Sequence, residues 1–414
     1  MNTQTIEEIL REYATPAYVF DLDVLRERVE TIQKCLQQKQ VKLCYAMKAN
    51  PFLVGAMEGL VERFEVCSPG EFRICERQKL PIEHLVISGV NKEPADMFRI
   101  AAKYQGRGIF TVESLQQLEL LASCARESGY PLKVLVRISS GNQFGVDFEQ
   151  AKEVFASKEK YPGLRLLGIQ YYSGTQKKLA MIQRELEKLD GWILELQKQG
   201  AQISELEYGP GFCVPYFQTD SKECLEEQLK DFMEFIRQMK FQGKVTLEMG
   251  RFLTADCGSF LTTLVERKET GGQIYGIVDG GIHHINYYGQ TMAMKLPFVQ
   301  HISRGGAAWN QGMVQLAAMP GVQKPGTQTE EKWNICGSLC TTADVIVKQL
   351  PLTGVQVGDV LVFERTGAYS VTEGINLFLS RDLPSVLCYS KKQGVRCLRK
   401  SQPTDMLNGP AIET

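Results

Sequence analysis

The chain has 414 residues, 43% hydrophobic and 23% charged, with 47 basic against 48 acidic side chains and a net charge of −1. That length suggests two or three domains and allows a large core. The charge balance gives no electrostatic basis for a nucleic-acid or anionic-membrane partner, and no apolar run reaches membrane-spanning length.

Residues 1–11 are polar and acidic, without the apolar core of a signal peptide, so a cytoplasmic location is expected. The twelve cysteines are scattered and are expected to be reduced thiols. Cys336 and Cys340 form a CxxxC spacing without a second ligand pair, so no metal is expected.

Residues 15–21 read as a short strand entered through Pro16. Residues 22–38 have helical spacing at Leu22, Leu25, Val29, Ile32 and Leu36. Eight short apolar strands follow, at 41–46, 64–67, 85–88, 108–111, 132–138, 164–172, 204–208 and 244–248. Amphipathic segments lie between them, at 53–63, 70–78, 94–104, 114–128, 148–157, 178–197 and 222–241. Such alternation implies parallel pairing through right-handed crossovers, and eight units over roughly 210 residues match a closed β/α barrel. An open doubly wound sheet competes, but the strand count and the lack of GxGxxG after the first strand favour the barrel.

After Arg251 the helical period stops. Strand-like runs at 260–266, 273–278, 360–363, 375–379, 385–388 and 395–398 predict a second, mostly β domain. Residues 305–329, rich in Gly, Gln and Pro, read as loop. The expected organisation is a barrel over 23–255, a β-rich domain built from 1–22 and 256–400, and a loosely held tail over 401–414.

In a β/α barrel, chemistry collects at the C-terminal ends of the strands. Lys48 follows the first predicted strand and Glu71 the second. Arg137 lies near the end of the fifth, Tyr172 and Thr175 at the sixth, Gly209 and Gly211 at the seventh, and Glu248, Gly250 and Arg251 at the eighth. A lysine there can shed its proton and form a Schiff base, or carry its stem into solvent. Gly209, Gly211 and Gly250 let backbone N–H groups approach an anion such as phosphate, or simply close tight turns. A buried Glu248 needs a cationic or protonated partner, which a pyridinium, Arg251 or a lysine can be. Arg137 can face a ligand or pair with a barrel acid. An amine, a phosphate cradle and a carboxylate for a ring nitrogen are together what pyridoxal 5'-phosphate (PLP) requires.

The motifs TPAYVFD (15–21), YAMKAN (45–50), EVCSPGE (65–71), GIQYYSGTQ (168–176), EMGR (248–251), CGSLCTTAD (336–344) and GAY (367–369) occur in this order. Through them, over about residues 15–390, the chain resembles the fold-type III, alanine-racemase-like PLP-dependent decarboxylases, which include diaminopimelate and ornithine decarboxylases. The resemblance implies that Lys48 carries PLP as a Schiff base and Glu248 keeps the ring nitrogen protonated. It implies that Thr175, the Gly209–Gly211 turn, Gly250, Arg251 and Tyr369 surround the phosphate. Cys340 would return a proton after CO2 leaves, in a homodimer that shares each site across its interface.

Three features depart from the common pattern. Tyr172 stands where the family usually stacks a histidine on the ring; tyrosine can stack but carries no imidazolium charge. Thr341, followed by Thr342, stands where an acid usually reads the distal amine of a free diamino acid, which makes ornithine, lysine and diaminopimelate poorer candidates. Residues 278–284 and 339–342 are similar to a subgroup of biosynthetic-cluster enzymes that decarboxylate an aminoacyl group tethered to a carrier protein. His283 and His284 in that stretch either line the substrate side or are surface or strand-edge residues. The expected activity is PLP-dependent decarboxylation of an α-amino acid or a carrier-tethered aminoacyl group. The alternatives are decarboxylation of a free diamino acid, an amino-acid racemase, and a non-catalytic relative that binds a protein partner.

Overall fold

The computed structural model describes residues 1–37, 41–221, 225–303 and 329–410. The chain divides into two units, one of residues 1–26, 215–222 and 254–414, the other of residues 27–214 and 223–253. The first strand, β1 (Ala17–Asp21), belongs to the former.

The second unit is a closed parallel barrel. Its strands run in the order β2 (Lys42–Ala46), β3 (Arg63–Val66), β4 (Leu85–Ile87), β5 (Ile109–Val112), β6 (Leu132–Arg137), β7 (Leu164–Tyr172), β8 (Glu205–Gly209) and β9 (Lys244–Met249). β9 pairs with β2 to close the ring, setting Cys44 beside Glu248. All eight predicted strands are present. Six crossover helices form where the periodicity placed them: Pro69–Arg77, Pro94–Lys103, Leu115–Ser128, Phe148–Ala156, Leu179–Lys198 and Leu225–Gln238. Ser68 and Ser114 start two of them by accepting from the N–H groups of Glu71 and Gln117.

The first crossover differs from its prediction. Instead of a helix over 53–63 there is one 3-10 turn (Pro51–Leu53) and one α turn (Val54–Met57). Gly59 then takes φ +78°, a left-handed turn that ends the helix and sends the chain into β3.

An apolar layer of Cys44, Val86, Ile109, Leu135 and Leu167 fills one level of the barrel. Charged side chains occupy other inward positions, which is unlike the branched apolar filling usual for this architecture.

The other unit is a β-sheet in the order β14 (Val345–Thr353), β13 (Glu330–Cys336), β11 (Gln273–Val278), β10 (Gly258–Thr270), β1, β16 (Ser385–Ser390), β17 (Gly394–Arg399); β15 (Val360–Glu364) joins β10, and β12 (Val299–Ile302) joins β15. Strands β12, β13 and β14 were not predicted. Their Gln, Lys and His positions dilute the apolar signal, and β14 tolerates Pro351 because it is the edge strand. The helix Thr3–Glu12 was also not predicted; Ile6, Ile9 and Leu10 bury its apolar face against Val19, Leu261, Val362 and Leu387.

The predicted strand at 375–379 is absent. Leu379 and Ser380 have φ of 58° and 49°, which breaks extended pairing, and a 3-10 turn (Phe378–Ser380) stands there. Apart from Thr329, the predicted loop at 305–329 lies outside the described residues, as do residues 411–414 of the tail.

Candidate active site

Lys48 leaves β2 in a single 3-10 turn, Met47–Ala49, and Asn50 closes it. Asn50 is fully buried; its side chain accepts from the Phe52 N–H at 3.1 Å, and its carbonyl accepts from the Tyr45 hydroxyl at 2.8 Å. The backbone under Lys48 is therefore fixed, while its side chain keeps 39% exposure. The ammonium donates to Glu65 Oε2 at 2.6 Å and to Glu248 Oε1 at 3.4 Å, and Cys67 Sγ lies 3.9 Å away. This is neither a lysine reaching into solvent nor one buried in an apolar wall.

The two carboxylates diverge in acidity. Burial and the charge of Glu65 push Glu248 above the usual carboxylate range, against the pull of Lys48. Burial also raises Glu65, but the Lys48 ammonium and hydrogen bonds from Glu248 and Lys48 outweigh it and hold Glu65 low. The two carboxylates therefore titrate as a coupled pair, Glu65 the stronger acid and Glu248 the weaker. Glu248 is thus partnered by Lys48 and by Gln170 Nε2 at 3.4 Å.

Behind it lies a second charged layer. Gln170 Nε2 donates to Glu207 Oε1 at 2.8 Å, and Arg63 reaches Glu205 at 2.8 Å and Glu207 at 3.8 Å. Burial pushes the Glu207 carboxyl up to about 7, with Arg63 opposing and Glu65 adding. Glu65, Gln170, Glu207, Arg63 and Glu113 were not singled out from sequence. A signal existed: polar residues alternate within apolar strands at Arg63 and Glu65, and again at Glu205 and Glu207.

Arg137 pairs with Glu113 Oε2 at 3.2 Å and packs over the Phe144 ring at 4.7 Å, so the ion-pair alternative describes its geometry. Glu71 lies close enough to Lys48 to feel its charge. Its carboxylate accepts from the Cys67 N–H at 2.7 Å, and it helps start the helix Pro69–Arg77.

The glycines at the strand ends are sterically required. A Cβ on Gly209 would stand 2.5 Å from Tyr172 Cδ2, and one on Gly250 would stand 2.7 Å from Ala49 Cβ. Gly211 has φ +61°, and its Cβ would meet the Gly174 carbonyl at 2.0 Å. Tyr172, Thr175, Gly209 and Gly211 are thus gathered at the ends of β7 and β8, and Gly250 and Arg251 follow β9.

Cys340, Thr341, Tyr369, His283 and His284 belong to the β-rich unit. Cys340 is exposed in the loop after β13, and Tyr369 adopts φ 66°. His283 and His284 are 0% and 3% exposed, with ring centroids 3.7 Å apart. Burial pushes their pKa values down to about 3 and about 4, so both are neutral. Their burial sets aside the surface alternative. The Tyr18 hydroxyl donates to the His284 carbonyl at 2.6 Å, and His284 Nε2 lies 2.8 Å from the Asp382 carbonyl.

The barrel residues fit PLP. An amine lies within 3.4 Å of two buried carboxylates, and two strand ends carry glycines where no side chain has room. Those are the needs of an aldehyde, a ring nitrogen and a phosphate.

A family model described as the pyridoxal-binding domain of pyridoxal-dependent decarboxylases matches residues 22–255. Diaminopimelate decarboxylase of Aquifex aeolicus is 24% identical over 438 residues, covering 99% of this chain and 94% of that protein. L-glutamyl-BtrI acyl-carrier protein decarboxylase of Niallia circulans is 23% identical over 406 residues, covering 92% of this chain and 90% of that protein. Among solved structures, diaminopimelate decarboxylase from M. jannaschii in complex with L-lysine has a TM-score of 0.84 at 21% identity, covering 99% of this chain and 94% of that one, a likeness of fold. Among the described residues no helix is long and apolar enough to cross a membrane. The chain belongs to the pyridoxal-dependent decarboxylases, an amino-acid decarboxylase with PLP as its cofactor and residues 22–255 as its pyridoxal-binding domain.

Proposed function

We propose that the substrate is an α-amino acid without a free distal ammonium, best matched by an aminoacyl group tethered to a carrier protein. The observation that carries this reading is the Cys340 loop. The one acid in residues 336–344 is Asp344, and its two oxygens accept from the Ile282 and Leu339 N–H groups at 2.8 Å each. At 3% exposure it is committed to holding the loop. Thr341 and Thr342 then offer hydroxyls only, and a neutral hydroxyl is a poor partner for an ammonium. The carrier-linked L-glutamyl decarboxylase among the relatives supports the same class of substrate.

In this reading Lys48 holds the cofactor covalently through its amine. Glu248 would serve the ring nitrogen, and Tyr172 would serve the ring face. Thr175, the Gly209–Gly211 turn, Gly250, Arg251 and Tyr369 hold the phosphate. Arg137, paired with Glu113 at 3.2 Å, is the remaining cofactor-binding residue of this reading. When bound, PLP supplies an electron sink for the pair released as the Cα–carboxylate bond breaks. Glu65, at 2.6 Å, holds the Lys48 ammonium and fixes the direction of its side chain. Cys340, contributed across a homodimer, returns a proton to Cα.

A homodimer is supported by an apolar patch. Ile375, Leu377, Phe378 and Leu379 are 43–50% exposed, and Met406 and Leu407 are 77% and 69% exposed. Asn408 Nδ2 joins the two segments through the Leu377 carbonyl and Ser380 Oγ. Contiguous exposed apolar surface marks an interaction site. Phe378→Glu is expected to shift the protein from dimer to monomer in sedimentation velocity, with activity lost in parallel; a monomeric wild type would end this part of the reading.

The substrate is tested by CO2 release from PLP-loaded protein. Free lysine, ornithine, arginine, diaminopimelate and glutamate are compared with glutamyl and other aminoacyl groups on a carrier protein. Release from tethered or non-basic substrates is expected. Release from a free diamino acid would overturn the argument from Thr341, and loss of optical rotation without CO2 would indicate a racemase.

A further inference from the structure

The loops after β7 and β8 carry Thr175 and the Gly209–Gly211 turn. A third element joins them. Lys177 is only 4% exposed, although it lies in a loop and carries a charge. Its ammonium donates to Glu185 Oε2 at 2.6 Å, to Ser173 Oγ at 3.0 Å and to the Gly209 carbonyl at 3.4 Å. Glu185, on the helix Leu179–Lys198, also accepts from the Tyr208 hydroxyl at 2.7 Å and from the Ser173 hydroxyl.

The backbone repeats the link. The Lys177 N–H donates to the Gly211 carbonyl at 2.9 Å. The Gln176 amide donates to the Val214 carbonyl at 2.9 Å and accepts from the Val214 N–H at 2.6 Å. A Cβ on Gly211 would stand 2.9 Å from Lys177 Cε, so the lysine stem acts as the spacer between the loops.

A buried ion pair is a poor source of net stability, because apolar residues of similar volume usually do as well. Its geometric effect is more specific. The Gly209 and Gly211 carbonyls are both turned toward Lys177. In a trans peptide the N–H lies opposite its carbonyl, so the N–H that follows Gly211 is turned to the other edge of the loop. That edge is where an anion would be received.

We infer that Lys177 and Glu185 form a positioning pair that shapes the phosphate cradle, so that they govern recognition of the cofactor's phosphate and not of its ring. This rests on the reading of the Gly209–Gly211 turn as the phosphate site. The step is non-covalent.

The test measures equilibrium binding of PLP and of pyridoxal, which lacks the phosphate, to the full chain stripped of cofactor. The ratio of the two dissociation constants is compared among wild type, Lys177→Met, Glu185→Gln and the double variant. Each variant is expected to lower the preference for PLP on the order of tenfold. The double variant leaves no lone buried charge, so its melting temperature should lie nearer wild type than that of Lys177→Met while its preference stays low. A double variant that keeps the wild-type ratio overturns the inference and makes the pair merely structural. Gly211→Ala is the companion. If it lowers the ratio while the pair variants do not, only the inference fails. If it too leaves the ratio unchanged, the phosphate reading of the turn fails and the inference with it.

Discussion

Lys48→Ala is expected to cost on the order of 10^4-fold or more in decarboxylation rate, because it removes the one amine that stands between Glu65 and Glu248. The variant should also lose the lysine-dependent absorbance band of bound cofactor. Residual turnover near that of wild type would sink the assignment. A second effect comes from the carboxylates. Glu65 and Glu248 are 2% and 8% exposed, and without Lys48 they face one another with no ammonium between them. Folding would then favour their protonated forms, so both folded pKa values would lie above the unfolded ones. Stability is then fully present below the unfolded carboxylate pKa and is lost as pH rises through the folded values. The melting temperature of Lys48→Ala should therefore fall more steeply than that of wild type between pH 5 and 8. The cost at neutral pH is about 1–2 kcal/mol, less than for a fully buried pair because the Lys48 side chain is 39% exposed.

Glu248→Gln should lower kcat/KM by roughly 10^2- to 10^3-fold, the usual cost of removing a preorganised electrostatic partner at a reacting centre. Here stability should not fall with activity. Burial and Glu65 already raise the Glu248 pKa, so its ionisation costs stability as pH climbs from the unfolded value toward the folded one. Glutamine removes that cost and keeps an oxygen for Gln170 Nε2. The variant should thus melt at or above the wild-type temperature at alkaline pH. A loss of activity matched by a loss of stability would make Glu248 a structural residue instead.

The barrel was legible because its signal is local. The strands are short apolar runs with amphipathic segments between them, and eight such strands in parallel lead to a closed sheet. The positions of Lys48, Glu248 and the glycine turns follow from that order, since strand ends of a barrel share one face. The β-rich unit was less legible. Its neighbours are remote in sequence, β1 pairing with β10 and β16, and β12, β13 and β14 carry too many polar residues to stand out.

By itself the sequence determined the fold class, the lysine, the strand-end glycines and the family pattern, because these depend on periodicity and on residue types at fixed spacing. The tertiary structure alone decided the partners. It set Glu65 on Lys48 and moved Glu71 to a helix start. It buried His283 and His284, and it enclosed Lys177 with Glu185. Which charge meets which depends on register between strands and on the direction of each side chain. A difference of one residue along a strand reverses the face a carboxylate occupies, and no local pattern records it.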